Sequence, residues 1–142
     1  MCGIIGYTNN VSNNQSVIEN MLQKISHRGP DDQGYYQDSK ITLGMRRLSI
    51  IDLDSGNQPL FNEDKSLILV FNGEIYNYQV LRAKLISLGH TFTTNSDSEV
   101  IIHGYEEYGN DIVNHLRGMF AFAIYNIHTK ALFIARDIFG IK

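Results

Sequence analysis

The one cysteine of the sequence stands at position 2. Removal of Met1 would leave a thiol and a free α-amine on the same residue. The α-amine ordinarily has a pKa of roughly 8 and the thiol about 8.5. A nucleophile and a candidate general base then lie within one side chain's reach, the arrangement of N-terminal threonine enzymes. The plainer reading of a lone cysteine is a small buried hydrophobe, and composition alone favours it. Position is what sets the chemical reading beside it.

Four more polar features interrupt the apolar pattern, of which His27-Arg28-Gly29-Pro30-Asp31 mixes charge with turn formers and is a weak catalytic signal. Arg46-Arg47 is a solvated basic pair or a guanidinium fork for a carboxylate, which arginine grips bidentately. Asn72-Gly73-Glu74 is first a turn signal. The same residues can form an oxyanion hole, with the Asn amide and the Gly N–H aimed at one spot. Asp97 lies within Ser96-Asp97-Ser98-Glu99, a capping-box pattern that accounts for an acid at a helix start. It is also a candidate receptor for an ammonium group.

Other chemistries lack their residues. The histidines at 27, 90, 103, 115 and 128 show no zinc-type spacing with cysteine or carboxylates, so no metal site is expected. No glycine-rich phosphate loop of either common pattern is present. The formal net charge is -3, with no Lys/Arg run, so a nucleic-acid footprint is missing. Apolar stretches are too short for a bilayer span, and no secretory signal opens the chain. A single cysteine implies no internal disulfide, so a cytoplasmic protein is the expectation.

The elements that must hold these residues follow from periodicity in one domain of 142 residues. Cys2 to Thr8 reads as a buried strand. Residues 15 to 26 form an amphipathic helix on Val17, Ile18, Met21, Leu22 and Ile25. His27-Arg28-Gly29-Pro30-Asp31-Asp32 is a loop. Strands are expected near Gly34–Gln37, Ile41–Met45 and Leu48–Ile51, with a loop at Asp52 to Asn57. Leu67–Phe71 is a central strand ending at Asn72-Gly73. Helices are expected over Tyr78 to Leu88, from Ser96 to Gly109, and over Asp111 to Leu116. Strands Met119–Ile127 and Ala131–Arg136 are joined by a turn at His128-Thr129-Lys130. Helices grouped between runs of strands favour an α+β layering.

Six segments in register carry a resemblance. They are Met1-Cys2-Gly3-Ile4-Ile5-Gly6, His27-Arg28-Gly29-Pro30-Asp31, Arg47-Leu48-Ser49-Ile50-Ile51-Asp52, Asn72-Gly73-Glu74-Ile75-Tyr76-Asn77, Ser96-Asp97-Ser98-Glu99 and Gly118-Met119-Phe120-Ala121-Phe122-Ala123. The series resembles the N-terminal glutaminase domain of glutamine-hydrolysing asparagine synthetases. These are class II glutamine amidotransferases of the N-terminal nucleophile hydrolase superfamily.

The resemblance implies a four-layer αββα sandwich with Cys2 at the end of a central strand. It implies Cys2 as nucleophile, and Asn72 and Gly73 as oxyanion donors. Arg47 matches the glutamine carboxylate clamp, with Leu48, Ser49, Ile50 and Ile51 as the backbone beside it. Glu74 and Asp97 match the α-amino end of glutamine. No cofactor or metal is implied for this half-reaction. ATP and magnesium belong to a synthetase domain that would accept the ammonia and convert aspartate to asparagine.

The chain ends inside a family motif, at Arg136-Asp137-Ile138-Phe139-Gly140-Ile141-Lys142, which reads as a C-terminally incomplete domain with the synthetase part absent. Expected partners are L-glutamine and that synthetase domain or subunit, with no nucleic acid or membrane; a homo-oligomer is left open. Two further readings stand beside this one. The acceptor is another molecule, such as a surface-polysaccharide sugar, or the chain is a non-catalytic module or inert fragment of the same fold.

Overall fold

Alternation along two long strands sorts the interior into two cores. In the computed structural model, which describes residues 2–8, 14–48 and 57–142, β5 (Leu67–Ile75) and β6 (Gly118–Asn126) pair antiparallel, Leu67 opposite Asn126 and Ile75 opposite Gly118. Successive side chains point to opposite faces. Leu67, Leu69, Phe71 and Ile75 face one core with Phe120, Phe122 and Ile124. Ile68, Val70, Ala123 and Tyr125 face the other. A strand buried on both faces reads as the unbroken apolar run Leu67–Phe71.

Helices cover the first face. α2 (Tyr78–Ser87) contributes Leu81 and Leu85; α3 (Glu99–Tyr108) contributes Val100, Ile101 and Ile102; and α4 (Ile112–His115) contributes Ile112. Gly89 and Gly109, with φ of 107° and 57°, follow α2 and α3 as expected of helix stops.

A second sheet covers the other face. It runs in the order β1-β3-β2, from β1 (Gly3–Thr8), β3 (Ile41–Arg47) and β2 (Asp32–Gln37). Ile41, Leu43 and Met45 of β3 meet Ile68, Val70 and Tyr125 across the sandwich. The opposite face of β3 receives α1 (Asn14–Lys24). A Cβ on Gly44 would sit 2.9 Å from Ile18 Cδ1, so the helix packs against bare backbone there. Each fully buried aliphatic side chain such as Ile18 or Leu22 contributes roughly 1.5–3 kcal/mol of burial. The layers are α1, the β1-β3-β2 sheet, the β4-β5-β6-β7 sheet, and α2 with α3. This is the αββα sandwich. β4 (Leu60–Phe61) and β7 (Leu132–Arg136) flank the second sheet.

Several expectations need correction. β5 does not stop at Asn72-Gly73 but runs through both to Ile75, because its ladder with β6 continues to Gly118. β1 pairs only with β3 among the described strands and is half-exposed in alternation rather than buried. Leu48 has left the strand, and the expected strand and loop over residues 49–56 lie outside the described residues. β4 went unread because two residues carry no period. No helix among the described residues is long and apolar enough to cross a membrane.

Candidate active site

Register brings the sequence candidates to one end of the sandwich. The Tyr125 hydroxyl donates to Asp38 Oδ2 at 3.0 Å, and Asp38 N–H donates to Ile41 O at 3.0 Å. This fixes the start of β3 beside Tyr125, which pairs with Ile68. Leu43 and Ile4 share a groove with Val70 and Ala123, so the sheets run on together from there. Two and four residues beyond Val70, on the same face of β5, come Asn72 and Glu74. Two residues beyond Met45, on the inward face of β3, comes Arg47. Gly3 pairs with Arg46, so Cys2 reaches that same end.

Cys2 packs against the inter-sheet core. The Leu48 N–H donates to its sulfur at 3.3 Å, and the thiol lies 3.6 Å from Leu48 O. Arg28 donates from Nε and Nη2 to the Cys2 carbonyl, both at 3.3 Å. The Cys2 backbone is therefore held from the 3-10 turn Ser26–Arg28 and its sulfur from the end of β3. The role of Arg28 was missed in the sequence. A short turn after a helix has no period, and only its ring of turn formers marked it.

The arginine pair divides by strand alternation. Arg46 turns to the helix layer, where Nε donates to Leu22 O at 3.2 Å near the C-terminal end of α1, a favourable place for a cation. Arg47 turns inward and is 5% exposed, with Nη1 donating to Asn57 Oδ1 at 2.9 Å. Arg47 is thus not the solvated residue that the plainer reading supposed. Ser49, Ile50 and Ile51 lie outside the described residues.

β5 supplies donors along one edge. Phe71 N–H donates to Gln58 Oε1 at 2.7 Å, and Ile75 N–H to Asp97 Oδ2 at 2.7 Å. By the two-residue repeat, the Gly73 N–H between them points out of the same edge. A Cβ on Gly73 would lie 2.2 Å from Met119 O, so only glycine fits the approach of β5 to β6. Asn72 is 7% exposed, and among the described residues no partner engages its side-chain amide.

Asp97 is 5% exposed and does not cap α3. Ser98 is the N-cap and makes no side-chain cap bond. Glu99 reaches Thr93 N–H and Thr94 N–H, each at 2.8 Å, instead of closing a capping box. Tertiary donors outcompeted the local ones. Burial pushes the Asp97 carboxyl above its ordinary range; the Ile75 N–H pulls it down, and the neighbouring charge of Glu74 pushes it up again. Two acids side by side, one buried, make a place where a substrate cation would be stabilised.

Other groups converge away from Cys2. Glu63, His90, His103 and Glu106 bring one ligand atom each within 4.8 Å of one another. Their spacing hid this, because they come from three separate segments.

The αββα sandwich, with Cys2 at one end of its two sheets, is the fold expected from the resemblance to N-terminal nucleophile hydrolases. A family model described as a glutamine amidotransferase domain matches residues 1–142, and the chain belongs to that family. It is similar to asparagine synthetase [glutamine-hydrolyzing] 1 of Bacillus subtilis (strain 168), 47% identical over 100% of this chain and 23% of that protein. It is 45% identical to asparagine synthetase [glutamine-hydrolyzing] 2 of Arabidopsis thaliana over 99% of this chain and 25% of the relative. The chain thus spans about a quarter of the length of these relatives. Among solved structures it is similar to the glutamine phosphoribosylpyrophosphate amidotransferase from B. subtilis complexed with ADP and GMP. The TM-score is 0.74 at 21% identity, covering 99% of this chain and 38% of that one.

Proposed function

We propose that this chain hydrolyses the side-chain amide of L-glutamine through a thioester on Cys2, and that a synthetase domain or subunit uses the released ammonia to make asparagine. The observation that carries the reading is the convergence of Cys2, Arg47, Asn72 and the Glu74–Asp97 acids at one end of the sandwich. Family membership and relatives named as glutamine-hydrolysing asparagine synthetases support glutamine as the substrate.

The chemistry follows from the positions. With Met1 removed, the Cys2 α-amine takes the thiol proton, directly or through a water, as sulfur attacks the amide carbon. A C–S bond forms and the carbonyl oxygen becomes an oxyanion. Asn72 Nδ2 and the Gly73 N–H donate to it; one such donor is worth roughly a hundred- to a thousandfold in rate. The ammonium formed on Cys2 returns its proton to the leaving nitrogen, the C–N bond breaks, and ammonia departs. Water then attacks the thioester, giving glutamate and the free thiol.

Both ends of the substrate amino acid have complementary groups. The Arg47 guanidinium meets the α-carboxylate; Leu48 follows it in the chain, and Ser49, Ile50 and Ile51, which match the family's carboxylate-side backbone by sequence, lie outside the described residues. Asp97 and Glu74 meet the α-ammonium. Fixing both charges sets the reacting carbon over sulfur, so little orientational entropy is left to lose at the transition state. This half-reaction calls for no cofactor; ATP and magnesium would serve the acceptor's chemistry.

The test measures glutamate and ammonia released from glutamine, with intact mass recording whether Met1 is gone. Activity is expected in protein lacking Met1 and absent in Cys2→Ala. Undiminished turnover in Cys2→Ala would overturn the nucleophile assignment.

A further inference from the structure

The cluster on the helix side of the second sheet has the shape of a metal site. Glu63 lies in the turn between β4 and β5, His90 follows α2, and His103 and Glu106 stand one turn apart on α3. His103 Nδ1 is 3.1 Å from Glu106 Oε2 and 3.4 Å from Glu63 Oε2. His90 Nδ1 is 3.6 Å from Glu106 Oε2 and 3.7 Å from Glu63 Oε1. Zinc bonds of roughly 2.0–2.1 Å at tetrahedral angles put neighbouring ligand atoms about 3.3 Å apart. The two edges that share His103 Nδ1, at 3.1 and 3.4 Å, bracket that length, and one ligand atom from each of the four residues lies within 4.8 Å of the others.

The surrounding contacts supply an independent reason. Both imidazoles turn Nδ1 to the common point and Nε2 outward to a carboxylate. His90 Nε2 is 2.9 Å from Glu107 Oε1, and His103 Nε2 faces Glu99 Oε1 at 3.5 Å. His103 is 1% exposed, and its Nε2 makes no hydrogen bond. An outer carboxylate beyond each imidazole favours the proton on Nε2 and leaves the Nδ1 lone pair for a metal.

The acids are held too. Asn62 Nδ2 donates to Glu106 Oε1 at 2.7 Å, which leaves Oε2 facing the centre. Thr91 N–H donates to Glu63 Oε1 at 3.0 Å. Glu63 and His103 also line a surface groove with Asn62, Thr91 and Thr93, an entry path for an ion.

We propose that Glu63, His90, His103 and Glu106 form a four-ligand site for a divalent transition metal, with Zn²⁺ the best fit. Two imidazoles and two carboxylates suit zinc, and four protein ligands with no open position suit a structural role. The ion ties the turn before β5 and the segment after α2 to α3. That segment continues through Thr93 and Thr94, which Glu99 holds, toward Asp97. The site therefore braces the segment that presents Asp97, whatever the substrate at Cys2.

The rival arrangement has both imidazoles protonated and paired with the same carboxylates, with no ion. To separate them, the full chain carrying Cys2→Ala, which removes the thiol as a competing ligand, is stripped with a chelator and titrated with Co²⁺ and then Zn²⁺. One Co²⁺ per chain is expected, with the visible absorption of a tetrahedral site, displaced by Zn²⁺ and accompanied by a rise in Tm. His90→Gln and Glu63→Gln alter ligands at the solvent side of the cluster; each is expected to weaken Zn²⁺ binding at least about tenfold while far-UV circular dichroism stays native. No stoichiometric binding at micromolar metal overturns the proposal, as does equal binding in the parent and both variants. Because the readout is metal affinity, its failure is distinct from a failure of the glutaminase reading.

Discussion

The carboxylate of Asp97 accepts the backbone N–H of Ile75 at 2.7 Å, joining the segment before α3 to the end of β5. One oxygen is thereby spent on structure, and the carboxyl, pushed above its ordinary range chiefly by burial, lies beside Glu74. The same residue serves the fold and the proposed ammonium site, and two substitutions separate those roles. Asp97→Asn keeps an oxygen for the Ile75 N–H and removes the charge. The protein is expected to stay folded, with a KM for glutamine raised at least about tenfold. Asp97→Ala leaves a buried N–H without its acceptor, at a cost of about 1–3 kcal/mol. Denaturant melts of both variants beside their KM values check this; an unchanged KM in Asp97→Asn removes Asp97 from the ammonium site.

Asn72 and Gly73 differ in what their loss does. Asn72→Ala removes an amide that no described residue engages, so the fold is expected to persist while kcat falls roughly a hundred- to a thousandfold. Gly73→Ala drives a Cβ against Met119 O and the Phe120 Cα, and neither backbone atom can move aside alone. A drop of about 1–3 kcal/mol in stability is expected together with lost activity. A folded Asn72→Ala with full kcat would rule out the oxyanion role.

Arg28 is a positioning residue, because it touches the Cys2 carbonyl and not the reacting atoms. Arg28→Met is expected to lower kcat about tenfold or more with little change in KM, since glutamine's charged ends are held elsewhere. Arg28→Lys keeps one donor and should recover part of kcat. Equal losses in both variants, matched by equal losses in Tm, would reduce Arg28 to a packing role.

The lock between the sheets is pH-sensitive at both extremes. Burial by itself would raise the Asp38 carboxyl. The N–H groups of Lys40 and Ile41, with Lys130 and Tyr125, outweigh it and hold Asp38 well below its usual range. A depressed carboxyl contributes stability above its unfolded pKa of about 3.9, and that contribution is lost as pH falls further. Tyr125 shows the opposite case: burial, then the bond to Asp38 and its charge, push the phenol up to about 12. Its contribution is complete below about pH 10 and is lost as pH rises through about 12. Stability differences between the parent and Asp38→Asn should shrink toward pH 2. Subtracting the ultraviolet titration of Tyr125→Phe from that of the parent should isolate one late-ionising tyrosine.

Residue type and local period determined a good deal by themselves. The unbroken apolar run Leu67–Phe71 marked a strand covered on both faces, and Leu81 with Leu85 marked the helix that covers one of them. The lone cysteine at position 2 carried the proposed nucleophile, because one residue can supply both thiol and amine. Other features were decided only by tertiary structure. Asn72-Gly73 is a turn signal by local preference, yet β6 pairs with it and makes it strand, since ladder partners lie 47 residues or more away in sequence. Arg46 and Arg47 are equivalent in composition, and only the sheet's two faces send one to α1 and the other inward. Asp97 reads as a cap, and a distant N–H took its carboxylate. The four converging side chains of Glu63, His90, His103 and Glu106 show no spacing because three segments meet there. Local pattern reports what each residue prefers among its neighbours in sequence, whereas a site is built from groups that only packing makes neighbours.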